Sequence, residues 1–114
     1  MVQLNLYILT YNKLDKDFDV ISLNPEKLAV PNIKISKLDK TIREYLDLLS
    51  KKNIIGYKPN FRLLNNIILE DIYHSIYFCV VPNNINIRDN HYKLSVKNYA
   101  IHSPNIQQIM QIIR

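Results

Sequence analysis

Glu44 and Asp47 are the residues of this chain best spaced for chemistry. They stand three apart in KTIREYLDLL, with Lys40 and Arg43 alongside. Positions i and i+3 are neighbours on a helix surface, so the two carboxylates could share one ion. Mg²⁺ needs oxygen ligands in near-octahedral array and keeps several waters, leaving room for substrate phosphates. The same residues also read as a solvated, salt-bridged face. Lys40 to Glu44 and Arg43 to Asp47 are opposite charges at i,i+4, worth about 0.2–0.5 kcal/mol each.

Other groupings carry less. Asp15, Asp17, Asp19 and Glu26 follow the ligand spacing of a helix-flanked calcium loop, but the glycine needed for its bend is Val20, and the flanks read as strands. His74, His91 and His102 have no i,i+3 or i,i+4 partner and no cysteine pair, so zinc spacing is absent. His74 and Ser75 project to opposite faces of a strand and form no dyad. Gly56 is the one glycine, which excludes a Gly-rich phosphate loop. Glu70 and Asp71, adjacent at a strand entrance, read as solvated acids. Cys79, in the apolar run IYFCVV, reads as a small buried hydrophobe and can form no internal disulfide.

The elements that must position Glu44 and Asp47 follow from periodicity. The chain has 114 residues, 47% of them apolar, which suits one folded domain spanning 1–114. Its net charge of +5 is spread along the sequence without a basic block, so nucleic acid is permitted as a partner but not required. Heavy use of Ile, Asn, Lys and Tyr suggests an AT-rich genome. No apolar run reaches membrane-spanning length, and VQLNLYIL alternates as a strand rather than a signal peptide. Residues 2–11 are expected as a strand, with FDVISL returning antiparallel to it. Pro31 forces Val30 to stay extended, and NIKI follows. Ser36 is then the expected N-cap of a helix over about 37–52, with Leu38, Ile42, Tyr45, Leu46 and Leu49 on its apolar stripe. Asn53 and Gly56 stop it. FRLLNNIILEDI is expected to be extended and broken near Asn65–Asn66. YHSIYFCVV, apolar on both faces in its second half, is the expected central strand. INIR and YKLSV suggest a hairpin, and NYAIH a further strand. Ser103–Pro104 opens a last helix over about 104–113. The fold class is α+β, a mixed and mainly antiparallel sheet with two helices packed on it.

This order resembles the Nudix fold, whose helix carries a G-x5-E-x7-R-E-U-x-E-E-x-G-U box, U being aliphatic. Arg43–Glu44 matches the box's Arg-Glu pair, Tyr45 stands at the aliphatic position, and Asp47 falls at the first of the two later acids. Leu48 replaces the second and Ser50 the closing glycine. Counting back without a gap, the earlier glutamate falls on Ile35 and the opening glycine on Ala29. Aligned instead on the Pro turn of PNIKI, the loop before the helix is about four residues short, with Asn32 and Ile33 for its glycines. The resemblance implies a Nudix-like architecture in which, if active, Glu44 and Asp47 are the metal ligands.

Eight tyrosines offer a second kind of site. Tyr73 and Tyr77 share one face of a strand, as do Tyr7 and Tyr11, and tyrosine is enriched at protein interfaces. An RNA-recognition sheet would present aromatics similarly but needs glycines missing here. With the box incomplete, the expectation is a non-enzymatic, catalytically inactive structural or protein-binding subunit of a larger assembly, a phage or viral particle or an organellar complex. It would need no cofactor, would bind protein subunits through Tyr7, Tyr11, Tyr73 and Tyr77, and would reside in a virion or inside a cell. A magnesium-dependent Nudix-type nucleoside-diphosphate hydrolase is the alternative, and a nucleic-acid-binding module the second.

Overall fold

A computed structural model describes all residues from Met1 to Arg114. Eight strands and two α-helices follow in the order β1 (Val2–Asn12), β2 (Asp17–Ser22), β3 (Asn32–Ile35), α1 (Ile42–Lys51), β4 (Ile54–Ile55), β5 (Arg62–Leu69), β6 (Ile72–Val81), β7 (Asn86–Ile87), β8 (Tyr92–Ser95) and α2 (Pro104–Ile113). The main sheet runs β5-β6-β1-β2-β8, and β3 also pairs with β1. The pairing of β1 with β6 is parallel; every other pairing is antiparallel. The α+β class and the central placement of β6 are as expected.

β1 organises the sheet. Its first half pairs with β3 (Val2↔Ile35 to Asn5↔Asn32) and its second with β2 (Leu9↔Val20 to Asn12↔Asp17). Between them the Leu6 N–H donates to Pro31 O at 2.9 Å. Alternation along β1 feeds two cores. Leu4, Leu6 and Ile8 meet Tyr45, Leu46 and Leu49 of α1, while Tyr7 and Leu9 meet Ile106, Ile109 and Met110 of α2. A strand buried on both faces needs apolar residues at nearly every position, as over Leu6–Leu9 of β1 and Ile76–Cys79 of β6.

The structure corrects three local expectations. Helix α1 starts at Ile42, and Thr41, not Ser36, is its N-cap. Thr41 and Glu44 form a reciprocal capping box that satisfies two free N–H groups at the helix start. Ser36 has no glutamate three residues on to complete such a box, and Leu38 is left 59% exposed, off the apolar stripe. INIR and YKLSV form no hairpin: β7 pairs with β4 and β8 with β2, whose backbone N–H and C=O groups they satisfy instead of each other's. Residues 98–102 form no strand; a 3₁₀ turn over Val96–Asn98 buries Val96 against α2's core instead. The extended reading of 62–69 holds, with a register shift between Leu63 and Asn65. Ser103 accepts the Ile106 N–H, and Pro104 opens α2.

Candidate active site on the first helix

The capping box that starts α1 also orients its first carboxylate. Glu44 Oε1 accepts the Thr41 N–H at 3.3 Å and the Thr41 hydroxyl at 3.1 Å, leaving Oε2 without a hydrogen bond. Tyr45 faces the core while its hydroxyl donates to the Asp39 carboxylate. That hydrogen bond, with the charge of Lys40, holds Asp39 below its usual range. The preceding turn is thereby fixed.

Glu44 and Asp47 come together. They line one shallow groove of about 230 Å³ with Lys40, Leu48 and Lys51. A second hollow of about 260 Å³ adjoins it across Asp47 and Lys51, and is lined by Ser50, Ile54, Gly56, Tyr57, Lys58 and Arg88. Asp47 is 21% exposed and lies 3.8 Å from Arg43 Nε and 4.0 Å from Lys58 Nζ. These are loose ion pairs, outside hydrogen-bond reach. Its Oδ1 is buried and accepts no hydrogen bond. The expected pair of Arg43 with Asp47 forms; Lys40 instead approaches Asp39, at 3.7 Å.

The far wall of the groove carries no local signal in the sequence. Asn53, 2% exposed, donates from its side chain to Leu49 O and closes α1. Its own carbonyl accepts the Arg88 N–H at 3.0 Å. The short β4–β7 ladder then sets Arg88 beside the end of α1, where its Nε donates to Lys51 O at 3.0 Å. Gly56 takes φ +73°, a left-handed backbone where a side chain would be strained. Arg88 is 37 residues from Lys51 in sequence, and no local pattern signals that meeting.

These residues fit a magnesium ion held by the protein through two carboxylates. The unsatisfied Asp47 oxygen and the free Glu44 oxygen are hard ligands, and Mg²⁺ commonly binds through one or two carboxylates plus substrate phosphates. Leu48 supplies no third. Five cations, Lys40, Arg43, Lys51, Lys58 and Arg88, surround the two acids.

The tyrosines are not one surface. Tyr7 is 7% exposed beneath α2, its hydroxyl accepting from Asn105 at 3.1 Å. Tyr11 is 41% exposed on that same face, edge-on to Phe18. Tyr73 and Tyr77 lie on the opposite, α1 face, with Tyr77 half-buried. The common exposed face does not exist because α2 covers Tyr7. Asp17 and Asp19 sit in β2, where Arg114 and Asn12 bind them, so no calcium loop forms. The structure has no group of three or more His, Cys, Asp or Glu placed to hold a metal. No helix is long and apolar enough to cross a membrane. Cys79 is buried, which raises its thiol to about 12.

No known family model matches the sequence, and no curated protein does. Solved structures do match over nearly the whole chain. A MutT/Nudix family protein from Listeria innocua superposes with TM-score 0.74 at 8% identity, over 98% of this chain and 92% of that one. The Nudix domain of Shewanella oneidensis NrtR, complexed with ADP ribose, gives 0.67 at 11% identity, over 100% and 88%. A C. elegans Ap4A hydrolase gives 0.65 at 9% identity, over 98% and 96%. The fold is therefore Nudix-like. This overturns the expectation of a non-enzymatic, catalytically inactive structural subunit of a virion or organellar complex. The incomplete box had pointed away from catalysis, whereas the structures that share this architecture include MutT/Nudix family proteins and an Ap4A hydrolase.

Proposed function

We propose that the chain is a magnesium-dependent hydrolase of a nucleoside-diphosphate-linked compound, with Glu44 and Asp47 as the metal ligands. The observation that carries this is the groove on α1, where two carboxylates with free oxygens stand among Lys40, Lys51, Lys58 and Arg88. The likeness to a domain complexed with ADP ribose and to an Ap4A hydrolase supports the substrate class.

Each residue has a physical task. Lys40, Lys51, Lys58 and Arg88 neutralise the diphosphate, and Arg88 is pre-oriented by its bond to Lys51 O. Tyr57, 42% exposed in the wall, offers its ring to a base. Thr41 holds Glu44 in one rotamer, which lowers the entropy lost when it takes up its ligand role. Mg²⁺ bound there supplies Lewis-acid polarisation of a phosphoryl oxygen and a more acidic water. With Leu48 in place of a third acid, Glu44 and Asp47 would hold the ion together with water and the substrate phosphates.

Calorimetric titration of Mg²⁺ in the presence of ADP ribose tests this reading. Wild type should bind in the millimolar range or tighter. Asp47→Asn should weaken binding by about tenfold or more, in line with losses seen when metal-site partners are removed. Equal binding by the two proteins would refute the site.

A further inference from the structure

The sheet has two ends, and they are built differently. At one end β8 is four residues long and carries Lys93, a short and charged edge. At the other, β5 runs eight residues, and between Leu63 and Leu69 it holds no charge and no proline. No backbone bond outside the sheet ladder involves residues 62–69. Only the Asn66 N–H is taken up locally, by Asn65 Oδ1 at 2.8 Å. Leu63 is 53% exposed, Ile68 71% and Leu69 53%, with Tyr73 beside them at 42%. Leu63 pairs with Tyr77 and Ile68 with Tyr73, so all four lie on the α1 face; Tyr77 packs against the α1 core, while Leu63, Ile68 and Tyr73 stay exposed. Such an edge is a ready template for another strand.

The strand is complementary to itself. LLNNII is symmetric in character about Asn65–Asn66. Antiparallel pairing of two copies centred on Asn66 sets Asn65 opposite Ile67 of the second copy and, because the register of β5 shifts between Leu63 and Asn65, Leu63 opposite Ile68, on the same face. It also brings Arg62 at one end of each strand towards the Glu70–Asp71 turn at the end of the other. That turn is held in place, both residues having positive φ as a two-residue hairpin requires. Charge and apolar pattern are thus matched twice by one two-fold axis.

We propose that β5 pairs with β5 of a second copy of this chain, joining two sheets into one continuous sheet with Leu63 and Ile68 at the seam. The groove on α1 lies on other elements and stays open in this arrangement.

Sedimentation equilibrium over a wide concentration range tests this on the full chain. Wild type should reach twice the 13.5 kDa chain mass. Ile68→Lys should weaken the dimer by about a hundredfold, because two apolar contacts are lost and a charge is placed at the seam. Ile68 is exposed, so the variant should keep its fold, which far-UV dichroism checks. Arg62→Glu should weaken the dimer roughly tenfold by setting acid against acid. Adding Glu70→Arg should restore it, which a merely structural role for Arg62 would not give. A wild type that stays monomeric at high concentration would overturn the proposal and leave the edge to a strand of another protein. A dimer indifferent to Ile68→Lys would overturn it too.

Discussion

Thr41 is the residue on which local structure and proposed chemistry meet. It caps α1 and holds Glu44 at once. Thr41→Ala should cost about 1 kcal/mol of stability, the usual value of an N-cap, measured by urea unfolding. It should also weaken Mg²⁺ binding by less than Asp47→Asn does, since it frees Glu44 without removing a ligand. Arg114 plays a comparable part at the other end. Its guanidinium donates to both oxygens of Asp17 at 2.6 and 2.7 Å. Burial pushes the Asp17 carboxyl up, but hydrogen bonds from Arg114 and from the Phe18 N–H, with the charges of Arg114 and Lys97, hold it below 3.8. Its stabilisation is therefore complete above pH 3.8 and is lost as pH falls through the lower folded-state value. Arg114→Ala should cost about 1 kcal/mol at neutral pH, discounted because Arg114 is half exposed. The difference from wild type should shrink below pH 3.8. Asp19 behaves oppositely. Burial raises it above 3.8 despite the Asn12 hydrogen bond, so its ionisation lowers stability as pH rises from 3.8 through the raised value. Asp19→Asn should remove that slope from an acid-titration of stability.

At the level of elements, the strands were legible where one side chain in two, or nearly all, were apolar. β1, β2 and β6 came directly from that pattern. α2 was legible because Ser103–Pro104 marks its start and Ile106, Ile109 and Met110 mark its buried stripe. Ile109 is fully buried there, and Ile109→Ala should cost about 2–5 kcal/mol, read as a lower urea midpoint. The start of α1 was misplaced because Ser36 and Thr41 are both acceptable caps in isolation. Only Glu44, three residues after Thr41, separates them. β7 and β8 were misassigned because their partners, β4 and β2, are distant in sequence, and two short strands near each other look like a hairpin to any local rule.

For the whole molecule, a sheet clamped between two helices explains what the tyrosines and the box could not. Tyr7 served the core because α2 lies over it, a fact set by packing between residues 98 apart. Glu44 and Asp47 were legible as a pair from spacing alone. Arg88, Lys58 and Tyr57 were not, since β4–β7 pairing and the turn at Gly56 bring them to α1. The missing box residues left the Nudix-like architecture unconfirmed by motif, and the fold became plain only from the arrangement of the elements. The most direct test is the initial rate of hydrolysis of ADP ribose by the purified full chain with millimolar Mg²⁺, compared with Asp47→Asn. Turnover in wild type that falls by about 10²-fold in the variant, the scale of losing one group that stabilises transition-state charge, is the expected result. No turnover above the protein-free blank, or equal rates in both proteins, would contradict it.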